Sequence, residues 1–303
     1  MQIRTLGRTG LKVTRLGYGA MELRGRRIWE GRPITGRQAE TILNAVLDGG
    51  INFIDTSYDY GLSEEFIGEF IAHRRDEYYL ATKCGCTVVY KGPRDETPHV
   101  WTGANLMDNI ETSLKRLKTD CVDIWQLHNP TVEDVERNNL LDVMDRVRSQ
   151  GKARWLGIST TLPFIDRFLE WDFFDVFQVP YSAMQTEHAD SITKIAQRDI
   201  GAVIRGGIAQ GEPGISYKGQ RERWLPWHKA ELDQLRDFGE SPTEFLLRFT
   251  LSHPDVQTVI VGTVNPAHLA ENVKAADAGP LFRDVYYEAK RKLEAVAHGL
   301  TAV

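Results

Sequence analysis

The sequence predicts a closed (β/α)8 barrel, and three observations carry that expectation. Eight short apolar runs alternate with amphipathic helical stretches. The runs are apolar almost throughout, as parallel strands covered on both faces must be. The length of 303 residues accommodates one barrel of roughly 250 residues with extended loops. A doubly wound sheet is the competing arrangement. It would carry a glycine-rich turn after a strand, and the nearest match, Gly17-Tyr18-Gly19-Ala20-Met21-Glu22, lacks the third glycine. A single domain over residues 1–303 is expected.

The elements follow in order. Residues 2–15 alternate polar and apolar side chains and suggest a hairpin ahead of the barrel. Barrel strands are expected at 15–20, 52–55, 79–83, 122–128, 153–159, 176–180, 202–205 and 258–262. Between them, Thr35 and Gln38 form a capping box for a helix whose buried face is Ile42, Leu43 and Val46, stopped by Gly49-Gly50. Helical spacing recurs at Phe66, Ile67, Phe70 and Ile71, at Leu106, Ile110 and Leu114, and at Leu140, Leu141, Met144 and Val147. Ser241-Pro242-Thr243-Glu244 joins an N-cap, a first-turn proline and a capping glutamate. The long segments 85–103 and 207–227 are loops on the C-terminal face, where barrel sites lie.

Composition narrows the classes. With 42% hydrophobic and 26% charged residues the chain is an ordinary globular protein. A net charge of -5 and a pI near 5.9 disfavour a nucleic-acid partner; the clusters Arg24–Arg27 and Arg221–Arg223 are expected to be solvated loops. No run reaches the roughly 18 apolar residues of a membrane span, and the N-terminal stretch lacks the apolar core of a signal peptide. A cytoplasmic location is the expectation. Three cysteines, Cys84, Cys86 and Cys121, suit a reducing compartment. The Cys84-Gly85-Cys86 spacing is not that of a usual zinc site, and no metal is expected.

Polar residues end several strands: Asp55, Lys83, His128 and Ser159, with Gln178 inside the sixth. In a barrel these converge on one mouth. Carbonyl reduction places negative charge on oxygen as hydride adds to carbon, so it needs a proton donor at that oxygen. Tyrosine, with a reference pKa of about 10, needs help from a lysine ammonium that lowers that value, and a carboxylate can hold the lysine charged. Tyr60, Lys83 and Asp55 suit these parts, and His128 suits a hydrogen bond to the substrate oxygen. Beside them, Tyr58 is expected to touch substrate, Asp59 to face solvent and Ser63 to cap the next helix. Trp29, Tyr58 and Trp101 are candidate pocket walls.

These residues carry a resemblance. Arg4-Thr5-Leu6-Gly7 with Leu11-Lys12-Val13, Phe53-Ile54-Asp55-Thr56 followed by Tyr60-Gly61 and Ser63-Glu64, Thr82-Lys83, Leu127-His128, Gly157-Ile158-Ser159 and the Gly262–Asn272 segment together resemble the aldo-keto reductase superfamily over essentially the whole chain. The resemblance implies a (β/α)8 barrel binding NADPH in extended form, with Asp55, Tyr60, Lys83 and His128 as the catalytic tetrad and Tyr60 as the acid. It implies that Ser159, Thr160 and Gln178 hold the nicotinamide carboxamide, Thr160 standing where the family commonly has Asn. Arg205 replaces a common aromatic residue; its guanidinium can stack or meet the pyrophosphate, and Gly206 and Gly207 permit close approach of the backbone. Gly262 leads into a helix start, Asn265-Pro266, suited to anions. There the resemblance places Thr263, Asn265 and His268 at the 2'-phosphate, with Glu271 and Asn272 at the adenine. His268 stands where many relatives have Arg, which leaves NADH as the alternative cofactor.

The expected activity is NAD(P)H-dependent reduction of an aldehyde or ketone, the partner being a small carbonyl compound and the oligomeric state open. A cofactor-sensing regulatory subunit of the same fold is the first alternative. A hydrolytic barrel using Asp55 with His128 or Glu64 is the second.

Overall fold

The computed structural model describes residues 1–209 and 224–299. Two strands, β1 (Ile3–Thr5) and β2 (Lys12–Thr14), pair antiparallel as a hairpin. Eight further strands form a closed parallel barrel: β3 (Leu16–Gly19), β4 (Phe53–Asp55), β5 (Tyr79–Cys84), β6 (Val122–His128), β7 (Ala153–Ser159), β8 (Val176–Pro180), β9 (Gly201–Arg205) and β10 (Thr258–Val261). Each is hydrogen-bonded to its sequence neighbours, and β10 closes on β3. The expected strands are all present, with ends moved by a residue or so. Among the described residues no helix is long and apolar enough to cross a membrane. The segment 210–223, which includes Arg221–Arg223 and most of the expected seventh loop, lies outside the described residues.

The helices on the outer ring include α1 (Gly36–Asp48), α2 (Ser63–Phe70), α3 (Gly103–Leu117), α4 (Val132–Arg137), α5 (Leu140–Ser149), α6 (Ile165–Glu170), α7 (Ala189–Gln197), α8 (Leu225–Lys229), α9 (Pro242–Leu251), α10 (Pro266–Ala278) and α11 (Arg283–Ala297). The capping boxes at Thr35/Gln38 and Ser241/Glu244 both form, so two starts read from sequence are made by the hydrogen bonds expected of them. Ser63 differs: it is the first residue of α2, and its hydroxyl donates to the Ala20 carbonyl (2.9 Å) and meets Thr56 Oγ1 (2.8 Å) instead of capping. The hydroxyl thus ties α2 to the ends of β3 and β4.

Two apolar layers build the body. The larger lies between strands and helices. The smaller fills the floor of the barrel with Phe53, Ala81, Ile124, Val176 and Val203, over which Leu6 and Val13 of the hairpin segment close. Side chains alternate along a strand with a period of two. Two residues beyond each floor residue therefore points inward again, one layer nearer the C-terminal rim: Asp55, Lys83, Gln126, Gln178 and Arg205. The register that makes the floor apolar also makes the layer above it polar.

Two loops clasp over that rim. Arg27 forks onto Asp95 through Nε (2.8 Å) and Nη2 (2.7 Å), and Trp29 Nε1 donates to Thr97 Oγ1 (3.1 Å). Part of the expected solvated cluster at Arg24–Arg27 is thus a bidentate tie between loops. The second loop leaves β5 through Gly85, whose φ is +104° and whose Cβ, if present, would lie 1.9 Å from the Trp101 ring. Only glycine leaves room for that indole and tolerates that backbone. Gly85→Ala is expected to lower the unfolding free energy by about 1–3 kcal/mol, measured by urea denaturation; an unchanged midpoint would mean that Trp101 does not pack there.

Candidate active site

The inward layer is organised around Asp55. This carboxylate is 1% exposed and accepts hydrogen bonds from three other strands: from Lys83 Nζ of β5, from Gln126 Nε2 of β6 (3.0 Å) and from Gln178 Nε2 of β8 (2.7 Å). Lys83 also donates to the Thr56 carbonyl (2.8 Å). Burial opposes the lysine charge, but the attraction of Asp55, and then of Tyr60, outweighs it and raises the Lys83 pKa. A buried ammonium is thereby kept charged under the Tyr60 ring, its Nζ 4.9 Å from the ring centroid. Gln126 was not among the sequence candidates. The alternation Ile124, Gln126, His128 was the signal that could have found it.

Tyr60 is nearly buried and sits edge-on to both His128 and Trp29, with ring centroids 5.9 Å from each. Its pKa is pushed up to about 12, because burial outweighs the lowering pull of Lys83. The expectation of a depressed phenol pKa is corrected accordingly. Lys83 acts in the expected direction, but desolvation is the larger effect. The phenol stays protonated across neutral pH and remains a stronger acid than an alcohol, which is what proton delivery to a nascent alkoxide needs.

Asp59 also departs from expectation, for it is 1% exposed rather than solvated. Ser57 Oγ donates to it, and His128 Nδ1 lies 3.3 Å from Oδ1. Burial alone would raise its pKa; the nearby His128, with hydrogen bonds from His128 and Ser57, wins and lowers it to about 2. Asp59 therefore fixes the Nδ1 side of the His128 ring, a positioning role the sequence reading missed. Gly61, at φ +46° with the Arg24 carbonyl 2.2 Å from where a Cβ would be, bends the chain back so tightly that Asp59 and Tyr60 both turn inward.

The remaining candidates divide. Ser159 Oγ donates to Gln178 Oε1 (3.3 Å), joining β7 to the Asp55 network. Thr160 Oγ1 and Arg205 Nε are buried polar atoms with no hydrogen-bond partner among the described residues. Arg205 is desolvated enough that its pKa falls despite Tyr60 and Asp55 nearby. Two orphaned polar atoms on this rim fit a polar ligand such as a nicotinamide cofactor. Gly206 has φ +70° and open space at its Cβ position, whereas Gly207 packs tightly on Val259 and its carbonyl accepts from Thr250 Oγ1 (2.8 Å).

The second group lies beyond β10. Asn265 caps α10 by accepting from Ala267 N (2.9 Å), with Pro266 in the first turn. His268 and Glu271 are exposed, while Asn272 is buried. Gly262 packs its backbone against Gly19, and the Tyr18 hydroxyl donates to the Thr263 carbonyl (2.8 Å). Of the aromatic candidates, Trp29 borders Tyr60, and Trp101 stacks on His99, whose ring meets His128 edge-on. The Tyr58 ring lies under the Arg116 guanidinium of α3, 4.9 Å from the centroid. Glu64 faces outward, accepting from Thr82 Oγ1 (2.7 Å) and Arg116 (3.3 Å). That placement removes Asp55 with Glu64, one of the two pairings of the hydrolytic alternative.

The fold and this geometry match a known class. The Aldo/keto reductase family model matches residues 15–294, and the chain belongs to that family. Similar curated proteins include the Bacillus subtilis uncharacterized oxidoreductase YqkF, 29% identical over 92% of each chain, and the Arabidopsis thaliana L-galactose dehydrogenase, 27% identical over 91% of this chain and 88% of that one. A probable voltage-gated potassium channel subunit beta of Arabidopsis thaliana is 24% identical over 94% of both. Among solved structures, the holo form of an aldo-keto reductase from Bacillus halodurans superposes with a TM-score of 0.82, at 27% identity and 96% coverage of both chains. The chain is an oxidoreductase of the aldo/keto type.

The Asp59 pKa gives a prediction with a definite sign. Its folded value, about 2, lies below the ordinary 3.8, so the ionised carboxylate stabilises the fold above about pH 4, and this is lost as pH falls toward about 2. Asp59→Asn should remove on the order of 2 kcal/mol of that acid-limb dependence, measured by urea unfolding at stepped pH. An acid limb identical to wild type would contradict it.

Proposed function

We propose that this protein reduces a small aldehyde or ketone to an alcohol with NADPH, Tyr60 acting as general acid. The observation that carries the reading is the placement of Tyr60 against the buried Lys83–Asp55 pair and His128 on one rim. NADPH, when bound, supplies the hydride. The chain's residues do the rest. Tyr60 holds its proton at the phenol oxygen and releases it as charge develops on the substrate oxygen. Lys83, kept charged by Asp55, stabilises the phenolate left behind. His128, held at Nδ1 by Asp59, presents Nε2 to the same substrate oxygen. Thr160 and Arg205 offer their unpaired atoms to the cofactor, with Ser159 and Gln178 beside them, and Arg205 and Gly206 line its diphosphate. Asn265 and the positive end of the α10 dipole, with His268, favour a phosphate on the adenosine; His268→Arg should tighten NADPH binding and leave NADH unchanged.

Trp29 and Trp101 flank the reacting group and favour an apolar or aryl carbonyl over a polyhydroxylated sugar. A second reading, a cofactor-sensing subunit, is favoured by the channel-subunit relative, and turnover separates the two. Tyr60→Phe is expected to slow NADPH-dependent reduction across an aldehyde panel by ~10²–10⁴-fold with cofactor affinity retained, as followed by NADPH absorbance and fluorescence. Wild-type turnover in the variant would refute the acid assignment, and no turnover in the wild-type protein with tight, slowly exchanging NADPH would support the sensor.

A further inference from the structure

Beside Tyr60 lies a cluster of donor atoms in which the proposed reduction uses His128 and leaves Cys86 and His99 without a part. Cys86, His99 and His128 each present one metal-ligating atom, and all three atoms lie within 4.8 Å of one another. Cys86 Sγ is 3.7 Å from His128 Nδ1, and Asp59 Oδ1 is 3.3 Å from the same nitrogen. Asp59 thus borders the cluster at His128. In a tetrahedral zinc site with bonds of about 2.0–2.3 Å, neighbouring donors stand about 3.5 Å apart. The cluster is near that size.

Its parts are held from three directions. Cys86 and His99 face each other across an antiparallel bridge, and paired positions in such a bridge project to the same side. His128 ends β6, and Asp59 is fixed in the turn after β4 by Ser57. Cys84 takes no part, since its thiol donates to the Gln126 carbonyl. The CxC spacing was therefore the wrong feature to weigh: the second ligand comes from a histidine thirteen residues on, brought back by the loop. Cys86 is buried whereas His99 is exposed, which gives an ion a way in from solvent.

We infer that Cys86, His99 and His128 form a binding site for a borderline-soft divalent cation of the zinc type. One thiolate and two imidazoles match the preference of zinc for sulfur and nitrogen, with water left to fill the fourth tetrahedral position. Binding displaces the Cys86 thiol proton to solvent and takes the Nδ1 lone pair of His128, so that the ring proton resides on Nε2. The site exists whether or not the carbonyl-reductase reading holds, and its test does not use turnover.

The experiment is a zinc titration of the full chain against a chromogenic chelator, with cobalt substitution as a spectroscopic check. Wild type should bind one equivalent, and the cobalt form should show a thiolate-to-metal charge-transfer band. Cys86→Ala should lose that band, and both Cys86→Ala and His99→Ala should weaken zinc by at least ~10-fold, the floor for losing even an outer-shell partner. Cys84→Ala and Cys121→Ala should bind as wild type. Because His99 is exposed, its variant decides the matter if Cys86→Ala fails to fold. No bound zinc in the wild type, or undiminished binding in His99→Ala, would overturn the site.

Discussion

The Asp55 carboxylate, buried at the second layer of the barrel, is the constraint on which the site depends. It receives Lys83, Gln126 and Gln178 from β5, β6 and β8, so one side chain on β4 fixes the polar face of three other strands. A buried charge of this kind is tolerable only because it is paired and its oxygens are satisfied. Removing one member of such a pair ordinarily costs about 3–5 kcal/mol, because it strands the other. The pair is therefore a device for holding a charge at a chosen point. That point lies under the Tyr60 ring.

Two buried carboxylates serve the rim in different ways. Asp55 fixes a permanent cation, whereas Asp59 fixes an imidazole through Nδ1, with Ser57 completing the hold. Tyr60 lies between the two systems, with Lys83 beneath its ring and His128 at its edge. Its raised pKa follows from the same burial that makes Lys83 effective. A site this dry strengthens every charge interaction within it and makes the phenol hold its proton.

The barrel was legible because its signal is local and repeated. Each strand is a short apolar run, several helix starts carry their own cap, and eight repetitions leave few ways to fold. The inward layer was half legible. Asp55, Lys83 and His128 stand out as polar residues at strand ends and Gln178 as a polar residue inside the sixth strand, but Gln126, in the middle of a longer strand, reads as an interruption unless the period of two is followed up from the floor. The loops were not legible. Asp59 resembles any solvated loop carboxylate, and its burial depends on the tight bend at Gly61 and on His128, sixty-nine residues away. The same holds for Cys86 and His99, which meet through a bridge that no periodicity announces, and for Tyr58, whose position under Arg116 depends on α3.

The central claim is that Asp55 acts on Tyr60 through Lys83. The most direct measurement is the single-turnover rate of NADPH oxidation by an aromatic aldehyde, in wild type and Asp55→Asn, each with cofactor already bound. Asparagine keeps the shape and removes the charge that holds Lys83. The account predicts a loss of ~10²-fold or more, the scale of a misplaced catalytic group, with the NADPH dissociation constant little changed. A wild-type rate in Asp55→Asn would mean that the buried pair is a feature of the barrel alone and that Tyr60 works without it.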